Sequence, residues 1–293
     1  KFSDLVQDPI GIIFSSKRSL ITEKAPSKAA AQGGQVAAQA EALSIDRFFN
    51  LKIFAEWLKV QEKLAEEQQH VIQYILALRK AVETFLPGFN NLRVEDIDGA
   101  TEFLIDKNGV SFNLSQLSDG ERGVLSIVLD IAKRITQANP LLVNPLSEGK
   151  GIILIDELDL HLHPKWQRTV VNNLIRTFPN CQFIATTHSP QIIPSLEPER
   201  IQLIFDDNVI IPDRTLGMDS NWILKHLMDA EERPDDALKI IATVENIIDE
   251  IDFEKARNLI KEYKNAGFDF PEWSTFEARM SKLEILGKDE ENN

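Results

Sequence analysis

The order of apolar and polar positions divides the chain into stretches of different period. Residues 9–14, PIGIIF, form a short apolar run that reads as a strand, followed by the basic turn SSKRS. From Lys24 to Ala42 the chain is KAPSKAAAQGGQVAAQAEA, alanine-rich and broken by Pro26, Gly33 and Gly34. It reads as a flexible surface loop, although alanine also supports helix. Between Ser44 and Phe85 there is no proline or glycine, and Phe49, Ile53, Trp57, Leu64, Val71, Ile75 and Leu78 recur at helical spacing. One long helix or two in succession are expected there, ended by Pro87-Gly88.

The period then changes to alternation. NLRVEDI, EFLID and VSFNL read as antiparallel strands, the last two joined by Lys107-Asn108-Gly109, because Asn-Gly favours a tight hairpin turn. A polar turn leads into an amphipathic helix from Gly120 to about Ala138. After Pro140, Pro145 and Gly149 comes GIILI, residues 151–155, almost wholly apolar, as in a strand buried on both faces of a parallel sheet. A helix from Pro164 to Phe178 and a second such run, CQFIATT, complete a strand–helix–strand unit. The fold class expected is α/β, a mixed or parallel sheet flanked by helices. Beyond Ser220, NWILKHLM, DDALKIIATVENIIDEI and FEKARNLIKEYKNA each carry a 3.6-residue period. The resulting plan is the end of an N-terminal lobe (1–23), a loop (24–43), a helical segment (44–88), the main α/β lobe (89–218) and a helical C-terminal region (219–293).

Composition narrows the class. At 293 residues, with 43% hydrophobic and 27% charged residues, the chain can build its core without disulfides or metals. One cysteine, Cys181, makes no disulfide framework and fits a reducing cytosol, so a cytoplasmic protein is expected. No apolar stretch approaches the roughly 20 residues of a membrane span, and KFSDLVQDP does not resemble a signal peptide. The first residue is Lys, not Met, as in a fragment of a longer protein. The net charge of −14 is uneven: Asp219 to Asn293 hold 19 acidic and 10 basic residues. That region repels a nucleic-acid backbone and suits a basic protein partner, so nucleic-acid contact needs a local basic patch or another subunit.

Candidate chemistry gathers where strands and turns end. Ser118 and Glu121 have the spacing of a capping box, and the helix start they mark is also a place where unpaired N–H groups attract anions. Asp156 and Glu157, adjacent at the carboxyl end of a buried strand, need compensation, which Mg²⁺ with bound phosphates would supply. Asp156 suits the metal, while strand alternation turns Glu157 elsewhere, where it can polarise water. His188, at the end of the neighbouring strand, points into the same crevice and can donate to a phosphate oxygen. His161 and His163 lack further Cys or His close in sequence for zinc, and read as packing and hydrogen-bonding residues of the turn.

These residues resemble a known family. Leu117-Ser118-Asp119-Gly120-Glu121 is similar to the signature motif of ABC-type ATPases, IILIDE to their Walker B strand with its catalytic glutamate, Leu158-Asp159-Leu160-His161 to their D-loop, and His188 to their switch histidine. In LSDGERG, LIDELDLHLHPKWQ and FPNCQFIATTHSPQI the chain resembles bacterial ATPases related to RecF and SMC proteins. With its acidic helical tail it resembles the ATPase subunit of Septu-type and retron-associated phage-defence systems. The resemblance implies an ABC ATPase head with a helical insertion, binding ATP and Mg²⁺. It assigns Asp156 to the metal, Glu157 and His188 to catalysis, Asp159 to the D-loop, and residues 117–121 to an ATP held by another subunit. It further implies a homo-oligomer of heads, an HNH-type nuclease partner, and, in a retron, a reverse transcriptase with its DNA product.

One departure is large. No G-x-x-x-x-G-K-[ST] occurs; Gly33-Gly34 and Gly149-Lys150-Gly151 do not fit that phosphate loop. In the family the loop precedes the strand that PIGIIF resembles, so the N-terminal part is expected to lie outside this chain. The family's glutamine has no clear match either; Lys17-Arg18 occupy about its place. The leading function is an ATP-dependent dimerisation switch that controls an associated nuclease. Alternatives are an ATPase of DNA repair or chromosome maintenance, a nuclease of the OLD type, and a catalytically dead scaffold. The OLD reading lacks a clustered acidic metal site, Asp206-Asp207 and Asp213 being too sparse, and a dead site has no need of Glu157 and His188.

Overall fold

The computed structural model describes residues 8–19, 21–22, 34–45, 49–97, 99–205 and 208–291. The readings of residues 1–7, 24–33 and Asp206-Asp207 fall outside these. Two units are present, Lys1–Ser220 and Asn221–Asn293. The first carries, in chain order, β1 (Ile10–Phe14), α1 (Gly34–Gln39), α2 (Leu51–Glu67), α3 (Gln69–Phe85), β2 (Phe89–Ile97), β3 (Ala100–Lys107) and β4 (Val110–Asn113). It continues through α4 (Asp119–Ala138), β5 (Gly151–Ile155), α5 (Pro164–Thr177), β6 (Cys181–Ala185) and a short hairpin, β7 (Leu203–Phe205) and β8 (Asn208–Ile210).

The aliphatic runs assemble as the sequence predicts, in a parallel sheet of order β1–β5–β6. The register sets Ile12 beside Ile153 and Ile153 beside Phe183, with α5 as the crossover from β5 to β6. Burial on both faces is not met. Ile10, Ile12, Phe14, Ile153 and Ile155 lie in the core with α4, but Ile152 and Ile184 on the opposite face are 51% and 54% exposed. An unbroken aliphatic run looks the same whether one face or both are covered, because β-branched residues favour strand in either setting.

The antiparallel part forms a separate sheet, β2–β3–β4. Its second turn has Asn108 and Gly109 at φ 51° and 81°, both in the left-handed region that Asn-Gly tolerates. Phe103 on the inner side of β3 meets Phe54 of α2 at 5.3 Å between ring centroids, and Phe54 meets Trp57 at 5.1 Å. The segment from 51 to 85 is two helices, not one: Gln68 is extended (φ −126°, ψ 105°) and its N–H closes α2 on the Leu64 carbonyl. Arg79 joins the pair to β2, donating to Glu62 at 2.8 Å and to the Leu92 carbonyl at 2.9 Å.

The alanine-rich stretch differs from its expectation as a loop. Its described part contains α1, with Ala37, Ala38 and Ala42 buried. Small side chains let this backbone lie close against α4, where the buried Arg134 pairs with Asp130 and donates to the carbonyls of Ala38 and Ala40 at 2.7 and 2.9 Å. The tie joins residues 96 positions apart, which no local pattern reveals.

The second unit is helical, as its period predicts. It comprises all but the first residue of α6 (Ser220–Leu227), then α7 (Asp235–Asp249), α8 (Phe253–Asn265) and α9 (Glu272–Glu291). Its own core holds Val244, Ile248, Ala256, Ile260, Trp273 and Met280. Arg257 pairs with Glu284, and Arg279 with Asp249, tying α9 to α8 and α7. No helix among the described residues is long and apolar enough to cross a membrane.

Candidate nucleotide site

The turn before α4 is built by its own side chains. Ser118, extended at φ −64° and ψ 159°, is the N-cap; its Oγ accepts from the Glu121 N–H at 3.4 Å, and its own N–H donates to Glu121 Oε2 at 2.9 Å. The other oxygen, Oε1, accepts from Lys107 Nζ of β3 at 2.6 Å, and that ammonium lies 5.2 Å from the centre of the Phe89 ring. Burial pushes the Glu121 carboxyl up, but the Lys107 ammonium and the Ser118 N–H outweigh it and hold it below its ordinary value. Glu121, expected among the ATP-binding residues, thus has its carboxylate committed to the turn, and Leu117 is in the core. Ser118 and Asp119 are exposed, Asp119 pairing with Arg122.

Gly120 has a contact the motif alone does not disclose. It is buried, and a Cβ there would stand 2.2 Å from the His161 carbonyl oxygen of the same chain. The start of α4 therefore sits on the turn that follows β5.

That turn is strained and heavily hydrogen-bonded. The strand ends at Ile155, so alternation does not separate Asp156 from Glu157 as expected. Glu157 instead turns at φ 48°, and His161 follows at φ 61°. For residues other than glycine such angles cost on the order of 1–3 kcal/mol, and they persist where the surroundings enforce them. Enforcement comes from the end of β6. Thr186 Oγ1 accepts from the Glu157 N–H at 2.7 Å and donates to Asp156 Oδ1 at 2.9 Å. Its carbonyl accepts from the Leu158 N–H at 2.8 Å. Asp159 Oδ1 accepts from the hydroxyl of Thr187 and, at 3.1 Å, from the N–H of His188. Gln167 of α5 donates to the carbonyls of Asp159 and Leu162 and accepts from Ser189 Oγ at 2.8 Å.

The expected residues Asp156, Glu157, Asp159 and His188 are thus brought to one hydrogen-bonded cluster at the carboxyl ends of two parallel strands, where α/β sheets bind ligands. Asp156 and His188 are both exposed. His163 caps α5, its Nδ1 accepting from the Lys165 N–H at 3.2 Å, as the structural reading of the His-x-His pair requires. Among the described residues no three His, Cys, Asp or Glu side chains group as an all-protein metal cage. An exposed strand-end carboxylate such as Asp156 fits Mg²⁺, which binds through one or two carboxylates, substrate phosphates and water. Sequence reasoning passed over Thr186, Thr187, Gln167 and Lys107. The equal register of β5 and β6, pairing Ile155 with Ala185, is the signal that places the two threonines beside Asp156 and Glu157.

Strand-end carboxylates, the backbone of a neighbouring strand's histidine and a capped helix start are thus gathered at one end of the parallel sheet of an α/β fold. A family model described as "AAA domain, putative AbiEii toxin, Type IV TA system" matches residues 37–193, and the chain belongs to that family. The chain is similar to the "Retron Ec83 probable ATPase" of Escherichia coli, 36% identical over 75% of this chain and 36% of that protein. The "Retron Vc95 probable ATPase" of Vibrio cholerae is 35% identical over 68% of this chain and 36% of its own length. The Septu protein PtuA of Bacillus thuringiensis is 30% identical over 57% of this chain and 45% of its own length. The chain therefore spans little more than a third of the retron ATPases it matches. A solved structure titled for ATP-driven dimerization of SMC ATPases aligns over 52% of this chain and 87% of its own, at 17% identity and a TM-score of 0.34.

Proposed function

We propose that this chain supplies the hydrolytic half of an ATP-dependent dimerisation switch that controls an associated nuclease in anti-phage defence. The observation that carries the reading is Glu157, held in a left-handed conformation between Asp156 and Asp159 by hydrogen bonds from the end of β6. A dead scaffold has no reason to keep a strained glutamate so fixed. The relatives, probable ATPases of retrons and the Septu protein PtuA, support the defence setting over DNA repair.

In this reading Glu157 takes the proton of the attacking water, and His188 donates to a phosphate oxygen. Asp156 would hold Mg²⁺, which, when bound, neutralises charge on the phosphate oxygens. Ser118 and the N–H groups at the start of α4 form an anion site for the γ-phosphate of ATP bound by a second copy, so closure completes the pocket. ATP then acts as the glue of the pair, and hydrolysis releases it. Such a switch requires a phosphate loop, and no G-x-x-x-x-G-K-[ST] occurs in residues 1–293. The acidic helical unit, repelling nucleic acid, is the docking surface for a basic protein partner, an HNH-type nuclease. In a retron setting the reverse transcriptase and its DNA product join the assembly.

The test is Glu157→Gln in the full-length protein, with ATP turnover and dimerisation measured together. Turnover is expected to vanish while an ATP-bound dimer accumulates. Hydrolysis at the wild-type rate would remove Glu157 from the role of base.

A further inference from the structure

No role attaches to Thr186 in the family resemblance, yet its side chain touches both Asp156 and Glu157 of the strand-end turn. We infer that Thr186 is a positioning residue for hydrolysis, acting through Glu157 and Asp156; this rests on the ATPase reading of the site. Its hydroxyl has one hydrogen to give and lone pairs to receive with, and both capacities are used. It gives its hydrogen to Asp156 Oδ1 at 2.9 Å and receives the Glu157 N–H at 2.7 Å. Its main chain works in the same direction: the N–H donates to the Ile155 carbonyl at 3.0 Å, and the carbonyl receives the Leu158 N–H at 2.8 Å. The residue just past the end of β6 thus brackets Glu157 on both sides, at the point where the backbone turns to φ 48°.

The two ends of the hydroxyl bridge have different consequences. On the acceptor side, Oγ1 fixes the peptide from which the Glu157 side chain departs, and so fixes the origin of the group that must meet water. On the donor side, it engages Oδ1 of Asp156 and so fixes the orientation of that carboxylate. The neighbouring Thr187 serves Asp159 and the His188 backbone, so the two threonines divide the cluster between them. Valine at 186 keeps the shape and β-branching of threonine but removes the bridge, and serine keeps the bridge but removes the methyl group. The residue is exposed, so the isosteric change leaves the core untouched.

The experiment compares Thr186→Val, Thr186→Ser and Glu157→Gln in the full-length ATPase, reading kcat, KM for ATP and the melting temperature. Thr186→Val is expected to lower kcat about 10- to 100-fold, the range that a misplacement near 1 Å produces, with KM within about twofold of wild type. Thr186→Ser is expected to recover kcat to within about threefold of wild type, since it restores the hydroxyl. Wild-type kcat in Thr186→Val overturns the inference, and so does a Thr186→Ser variant as slow as the valine. A loss of kcat accompanied by an equal rise in KM and a collapsed melting temperature in both variants also overturns it, since that is a structural role. If Glu157→Gln itself turns over normally, the ATPase reading fails first and takes the inference with it. If Glu157→Gln is dead and Thr186→Val turns over at the wild-type rate, the inference alone is wrong.

Discussion

Replacing Gly120 by Ala sets two effects of opposite sign against each other. Within a helix, alanine is favoured over glycine by about 0.5–1 kcal/mol, so on propensity alone the variant gains stability. The new methyl group, however, would lie 2.2 Å from the His161 carbonyl oxygen and 3.1 Å from its carbon. Carbon and oxygen rest at about 3.3 Å or more, so the turn after β5 must retreat by roughly 1 Å. The obstacle is backbone, which no rotamer change can remove. Forced rearrangement of a packed interior costs about 1–3 kcal/mol, which exceeds the propensity gain. A net loss of about 1–2 kcal/mol corresponds to a melting temperature lower by roughly 2–8 °C for a unit of this size. Scanning calorimetry of the chain reads it, with the second unit's transition as an internal control. His161→Gly in the Gly120→Ala background should recover part of the loss, because the turn at φ 61° then yields more easily. A melting temperature equal to or above wild type in Gly120→Ala refutes the packing argument.

Further predictions concern other parts of the chain. Ile251 closes α7 at φ 65° while 72% exposed, an unfavourable setting for a β-branched residue; Ile251→Gly should stabilise the second unit by about 1 kcal/mol, and a lower urea midpoint would count against this. Because the Glu121 carboxyl is held below its ordinary value of 4.5, its contribution to stability is present above that pH and lost as pH falls through the folded value. Glu121→Gln should therefore be less stable than wild type at neutral pH, with the gap narrowing below pH 4.5 in acid titration followed by circular dichroism; a gap that does not depend on pH excludes the ion pair as its source. Ser118→Arg in the full-length protein should block ATP-dependent dimerisation while one subunit still binds nucleotide, and dimers at wild-type level by light scattering would discard the anion site at the start of α4.

What could be read in advance depended on how local the cause was. The hairpin at Asn108-Gly109 and the capped start of α4 follow from residues within four positions of each other, and both stand in the structure where the sequence puts them. Asp156, Glu157, Asp159 and His188 were legible because polar residues that terminate aliphatic strands are conspicuous. Their partners were not. Thr186 and Thr187 gain their roles from the lateral pairing of β5 with β6, and Lys107 from the end of β3, which lies beside the start of α4. The helix within the alanine-rich segment has a cause of the same kind: Arg134, far along the chain, supplies the donors that fix its backbone. Coverage of the parallel sheet was also hidden, since β5 has the same aliphatic letters whether Ile152 meets side chains or water.

That open face has a practical consequence for anyone handling this stretch of polypeptide by itself. Among the described residues β6 is a border strand, with one row of backbone donors and acceptors not used by the sheet, and its outward Ile184 is more than half exposed. A free border with an apolar flank invites another strand to add to it, the route by which sheets grow into insoluble material. Expressed alone, residues 1–293 should be prone to concentration-dependent precipitation, and a single lysine at position 184 is the gatekeeper best placed to suppress it.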